Sequence, residues 1–181
     1  MYKRQAWYNI IPEDWNPIWV GDTAYMPDTI RTAGLYQPYC TIHTNVFIAN
    51  ILNQHSCARI RLQVVILACL KHADSLSLHT TRTYACNIVQ QMADTICASV
   101  PFYLGDRVNY LPLDDKTVKY PRVNSSLTPD QHYVDAAAYA GIFLTRSLAT
   151  LLQPGLPLRA GQREWVIGQI RRIKMIYHAT A

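Results

Sequence analysis

The chain has 181 residues, a length that fits one domain; it is 50% hydrophobic and only 16% charged, which excludes a chain disordered throughout. Five cysteines are too few and too scattered for a disulfide scaffold. The net charge of +5 is mildly basic and does not by itself point to nucleic acid.

The N-terminus carries Lys3 and Arg4, but no apolar segment follows and Glu13 and Asp14 come early. A secretory signal is not expected, so the thiols should be reduced. Residues 1–38 read as a loop-rich arm. Pro12, Pro17, Pro27 and Pro38 break any long helix, and Trp7, Trp15 and Trp19 should draw the arm onto a helical body. From about Tyr39 to Lys71 there is neither Pro nor Gly, and Val46, Ala49, Leu52, Ile60, Val64, Leu67 and Leu70 recur at helical spacing. One long helix is expected, with a break near Asn53 to Ser56. Val64 to Leu70 is apolar all round, the mark of a helix buried among others. At seven residues it is far short of the ~20 that span a bilayer, so no membrane helix is expected.

A turn at Asp74, Ser75 and Ser77 leads to a second helix, about Thr80 to Ala98, with Ala85, Ile88, Val89, Met92 and Ile96 as its buried stripe. Pro101 should end it, because the residue before a proline avoids the α region. Residues 106–127 have no usable period and read as a long exposed loop, a linker. Thr128-Pro129-Asp130-Gln131 is a helix start, with a capping hydroxyl and proline at the first helical position. That helix should reach about Leu152, burying Tyr133, Ala137, Ala140, Leu144, Leu148 and Leu151, with small alanines admitting a close neighbour. A last helix, about Gly161 to Tyr177, carries Trp165, Val166, Ile170, Ile173 and Tyr177 on one side. No strand alternation or internal repeat is visible. The fold class is therefore all-α, with four to five packed helices in a body spanning residues 39–181.

Residues 159–181 hold five basic side chains against Glu164 alone, and so most of the net charge. Arg163, Arg171, Arg172 and Lys174 are the candidate contacts to phosphate or to a partner. The plainer reading is a solvated face whose cations offset the negative end of the helix dipole.

Catalytic and cofactor patterns are sparse. Cys40, Cys57, Cys69, Cys86 and Cys97 include no C-x2-C pair that would clamp zinc. Cys69 and His72 lie one helical turn apart but lack two further ligands. No nucleophile elbow or phosphate-cradling glycine loop appears, and Asp114-Asp115 sits in the Lys-flanked loop. No cofactor, no metal and no enzymatic activity are expected. A small-molecule sensor pocket lined by Trp, Tyr and Met, or a helical nucleic-acid binder using the basic last helix, are the alternatives to an interaction module.

Three segments together carry a resemblance. Phe47-Ile48-Ala49-Asn50-Ile51-Leu52-Asn53 is followed by Cys57-Ala58-Arg59-Ile60-Arg61-Leu62. Then comes Asp94-Thr95-Ile96-Cys97-Ala98-Ser99-Val100-Pro101-Phe102-Tyr103-Leu104-Gly105. Ala140-Gly141 and its apolar helix, Arg163-Glu164-Trp165-Val166 and Ile170-Arg171-Arg172-Ile173 complete the set. Their order resembles the C-terminal part of the helical regulatory domain of fungal transcription factors of the binuclear zinc-cluster class. The resemblance implies a non-enzymatic, all-α regulatory module in the nucleus (otherwise the cytoplasm), with protein partners or self-association. The family's zinc cluster is missing, so sequence-specific DNA binding does not carry over. The chain corresponds to the trailing portion of such a domain and is expected to be partial. The same residues also have a purely structural reading: Arg59 and Arg61 as surface cations, Arg59 tied to Asp94 or Glu164, and Asn50 and Asn53 hydrogen-bonded to a buried turn.

Overall fold

The computed structural model describes residues 11–20, 35–71, 78–104 and 129–178. The linker 106–127, the Asp74–Ser77 turn, Trp7, His72 and Thr128 lie outside them. So do the side chains of Tyr133 and Ala137. Four α-helices dominate: α1 (Val46–Leu70), α2 (His79–Leu104), α3 (Pro129–Leu151) and α4 (Gln162–His178). The all-α expectation is met, with one addition. Strands β1 (Ile18–Val20) and β2 (Cys40–Ile42) pair antiparallel, Trp19 opposite Thr41, behind a 3-10 turn at Glu13–Trp15. Three-residue strands are too short to leave an alternation in sequence.

The core is built around α2, which packs against α1, α3 and β2; α4 packs on α3. Ile88, Val89, Met92 and Ile96 of α2 are buried against Ile60 of α1 and Leu144 and Leu148 of α3. The expected stripe of α3 is present, Ala140, Leu144, Leu148 and Leu151 being fully buried. On α4, Val166 and Ile173 are buried and Trp165, Ile170 and Tyr177 pack on the core.

Four expectations need correction. First, α1 starts at Val46 and not near Tyr39, because Asn45 caps it: Oδ1 accepts the backbone N–H groups of Phe47 (3.0 Å) and Ile48 (2.9 Å). The Thr44 hydroxyl just before the cap donates to the Asp14 carbonyl and ties the 3-10 turn to this corner.

Second, α1 does not break at Asn53–Ser56. The polar groups there bond elsewhere: Ser56 Oγ donates to the Leu52 carbonyl (3.1 Å), and Asn53 Nδ2 donates to Ser99 Oγ on α2 (2.9 Å). With these buried polar groups hydrogen-bonded, the helix runs unbroken from Val46 to Leu70.

Third, α2 runs through Pro101 to Leu104. The proline removes one backbone donor, a cost of about 3 kcal/mol. Phe102, Tyr103 and Leu104 are all essentially buried beyond it, each gaining about 1.5–3 kcal/mol, so packing outweighs the local cost.

Fourth, the apolar run on α1 is not enclosed. Val65 is 59% exposed, Ala68 and Cys69 are exposed too, and only Leu70 of the run is buried. Trp19 likewise stays 51% exposed, its ring tilted against Tyr39 at 5.3 Å. No described helix is long and apolar enough to cross a membrane.

Candidate functional site

Three places concentrate functional groups. The first is a polar junction inside the fold, where α2 meets the start of α4. Asp94 Oδ1 accepts from Gln90 Nε2 (2.7 Å) and Gln162 Nε2 (3.2 Å), and Oδ2 pairs with Arg159 Nη2 (2.9 Å). Gln162 is fully buried; its Oε1 also accepts from Gln90 Nε2 (2.9 Å) and from the Arg159 backbone N–H (3.3 Å). Asp94 thus pairs with Arg159, not with Arg59 as the sequence suggested. Its partner follows Gly155 and precedes Gly161, both with positive φ, in the turn that delivers α4. Cys97 Sγ meets Gln162 Nε2 at 3.5 Å, and burial pushes its thiol up to about 12. Cys40 is pushed to about 12 by the same cause. Both thiols are protonated at neutral pH and are poor nucleophiles. The junction is a structural clamp between helices.

His43 follows the same rule. It lies just after β2 with Nε2 hydrogen-bonded to Thr41 Oγ1 (3.1 Å), its ring edge-on to Phe102, and Nδ1 without a partner among the described residues. Burial lowers its pKa to about 3, which keeps it neutral and unsuited to proton transfer near pH 7. The described residues contain no cluster of three or more metal-ligating side chains.

The second place is α4 and its four candidate basic residues. Arg163 is committed to the fold: Nη1 donates to the Leu152 carbonyl and Nη2 to the Gln153 carbonyl, both at 2.9 Å. It closes the C-terminal end of α3, where carbonyls lack helical partners. Arg172 is half-buried, its Nη1 donating to Gln169 Oε1 (3.0 Å), and burial lowers its pKa. Arg171 and Lys174 are exposed on a shared face one turn apart. Arg172 points about 180° away from the direction of Arg163 on the same helix. The four cations therefore do not form one phosphate-facing cluster.

The third place was not singled out in the sequence. Phe47 at the start of α1 meets Tyr139 (ring centroids 5.1 Å) and Phe143 (5.9 Å) of α3, and the two α3 rings stack at 5.8 Å. Phe47 is 43% exposed and Tyr139 42%. Ile142, one turn from Tyr139, extends the same exposed surface along α3. Core and ridge aromatics are the same residue types, so only the packing of α1 on α3 separates them.

A scan of protein-family models finds no match to this chain, and no curated protein or solved structure matches it.

Proposed function

We propose that this chain is a non-enzymatic, helical protein-interaction module of a regulatory kind, and that the Phe47–Tyr139–Phe143 ridge is its contact surface. The observation that carries this reading is the ridge itself: three rings already packed on one another, with two of them more than two-fifths exposed. Aromatic side chains held rigid before binding lose little conformational entropy on contact, and such residues dominate the energetics of interfaces. A contiguous exposed apolar surface is the usual mark of a docking site. The neutral state of His43 and the protonated thiols of Cys40 and Cys97 favour a binding role over a chemical one. The three motifs resembling the fungal regulatory domain support the same reading, and by that resemblance its place is the nucleus. In this chain Asp94–Leu104 of their second segment form the end of α2.

A photo-crosslinking amino acid placed at Tyr139, with a control at Arg171, tests the proposal in an extract of the expressing cells. A protein adduct is expected at position 139 that is lost when Phe47→Ser is added, with none at 171. The absence of any protein adduct at 139 would overturn the proposal.

A further inference from the structure

We infer that the ridge is covered by a second copy of this chain, through antiparallel two-fold pairing of α3 with α3. The inference rests on the reading of the ridge as a contact surface and names its occupant.

The observation is the arrangement of charge along the exposed side of α3. At about 100° per residue, Asp135, Ala138, Ile142 and Arg146 fall within about 80° of one another on the helix. Ile142 is 56% exposed at the centre of this strip, Ala138 and Arg146 are exposed, and Asp135 is partly so. One carboxylate and one guanidinium thus bracket an apolar centre, separated by about 16 Å along the axis. Neither takes part in an ion pair among the described residues.

Such a strip is complementary to itself when inverted. A two-fold axis crossing between Ala140 and Gly141 sets Asp135 of each copy opposite Arg146 of the other. It also sets Ile142 of each copy opposite Tyr139 of the other. Ala138 lets the two helices approach to the ~8–10 Å typical of packed helices. A parallel pairing would instead place like charges together. Isologous pairing of this kind is the commonest form of association between identical chains.

The test is a charge exchange read by sedimentation velocity. The native chain should sediment as a concentration-dependent dimer that weakens with salt, since its rim pairs are screened. Asp135→Arg alone and Arg146→Asp alone should each weaken association at least tenfold while keeping native helical circular dichroism. An equimolar mixture of those two variants should form a heterodimer, because each chain then presents one sign of charge to the other. The double variant Asp135→Arg/Arg146→Asp should regain the native dimer. A native chain that remains monomeric, or a dimer unaffected by either single change, overturns the pairing. If the chain is monomeric yet Tyr139 crosslinks to a different protein, the pairing fails and the contact ridge stands. If Tyr139 crosslinks to nothing, both fail.

Discussion

The ring of Tyr177 on α4 lies so close to the backbone of Gly141 on α3 that a Cβ at Gly141 would stand 2.8 Å from its Cδ2 and Cε2. The ring has little room to yield, because its hydroxyl donates to the Ala136 carbonyl at 2.7 Å. Gly141 is therefore kept for close approach, not for an unusual backbone angle, and α4 is seated on α3 through this contact.

Gly141→Ala is accordingly expected to destabilise the chain by about 1–3 kcal/mol through overpacking. That outweighs the gain of about 1 kcal/mol that alanine brings to a helix interior. In a Tyr177→Ala background the sign should reverse, with alanine at 141 stabilising. Urea denaturation of the four chains in the cycle measures the coupling. Equal effects of Gly141→Ala in both backgrounds would show that the contact is not what excludes a side chain.

Acid sensitivity should be carried in part by His43. Its folded pKa of about 3 lies below the ordinary 6.5, so the unfolded state binds more protons between these values. Stability from this group is complete above about pH 6.5 and falls as pH drops toward 3, by up to about 1.4 kcal/mol per pH unit. His43→Gln should flatten that part of the stability curve in urea melts from about pH 7 to pH 4. An unchanged slope in the variant would assign the acid loss to other groups.

The basic residues of α4 should separate by role. Arg163→Ala removes two hydrogen bonds from a guanidinium to the end of α3 and should cost about 1–2 kcal/mol. Arg171→Ala and Lys174→Ala, on the exposed side, should stay within about 0.5 kcal/mol. Thermal melts of the three variants decide this. Equal, negligible effects would return Arg163 to the pool of cations available to a ligand.

Much of the helical body was legible from periodicity, since Ala140, Leu144, Leu148 and Leu151 can share a buried face only if α3 is a helix. The start of α1 was not, because nothing local distinguishes the capping Asn45 from Asn50 or Asn53. The end of α2 was misread because proline's local preference is visible in sequence and the burial of Phe102 to Leu104 is not. Arg163 carries the same charge as Arg171, and only the fold reveals which of them faces carbonyls. The Asp94–Arg159 pair joins residues far apart in the chain, with no spacing to announce it. The ridge was hidden for a related reason. Tyr139 lies beside the buried Ala140, and which face of α3 is left open depends on how α1 and α4 pack.

Hydroxyl-radical footprinting of the native chain in fresh extract from expressing cells reads the ridge most directly. Phe47 and Tyr139, at 43% and 42% exposure, should be protected from oxidation, while Met175, 66% exposed on α4, should react freely. Oxidation of Phe47 and Tyr139 to the extent their exposure and intrinsic reactivity dictate would mean that the ridge faces water, and that no protein binds there.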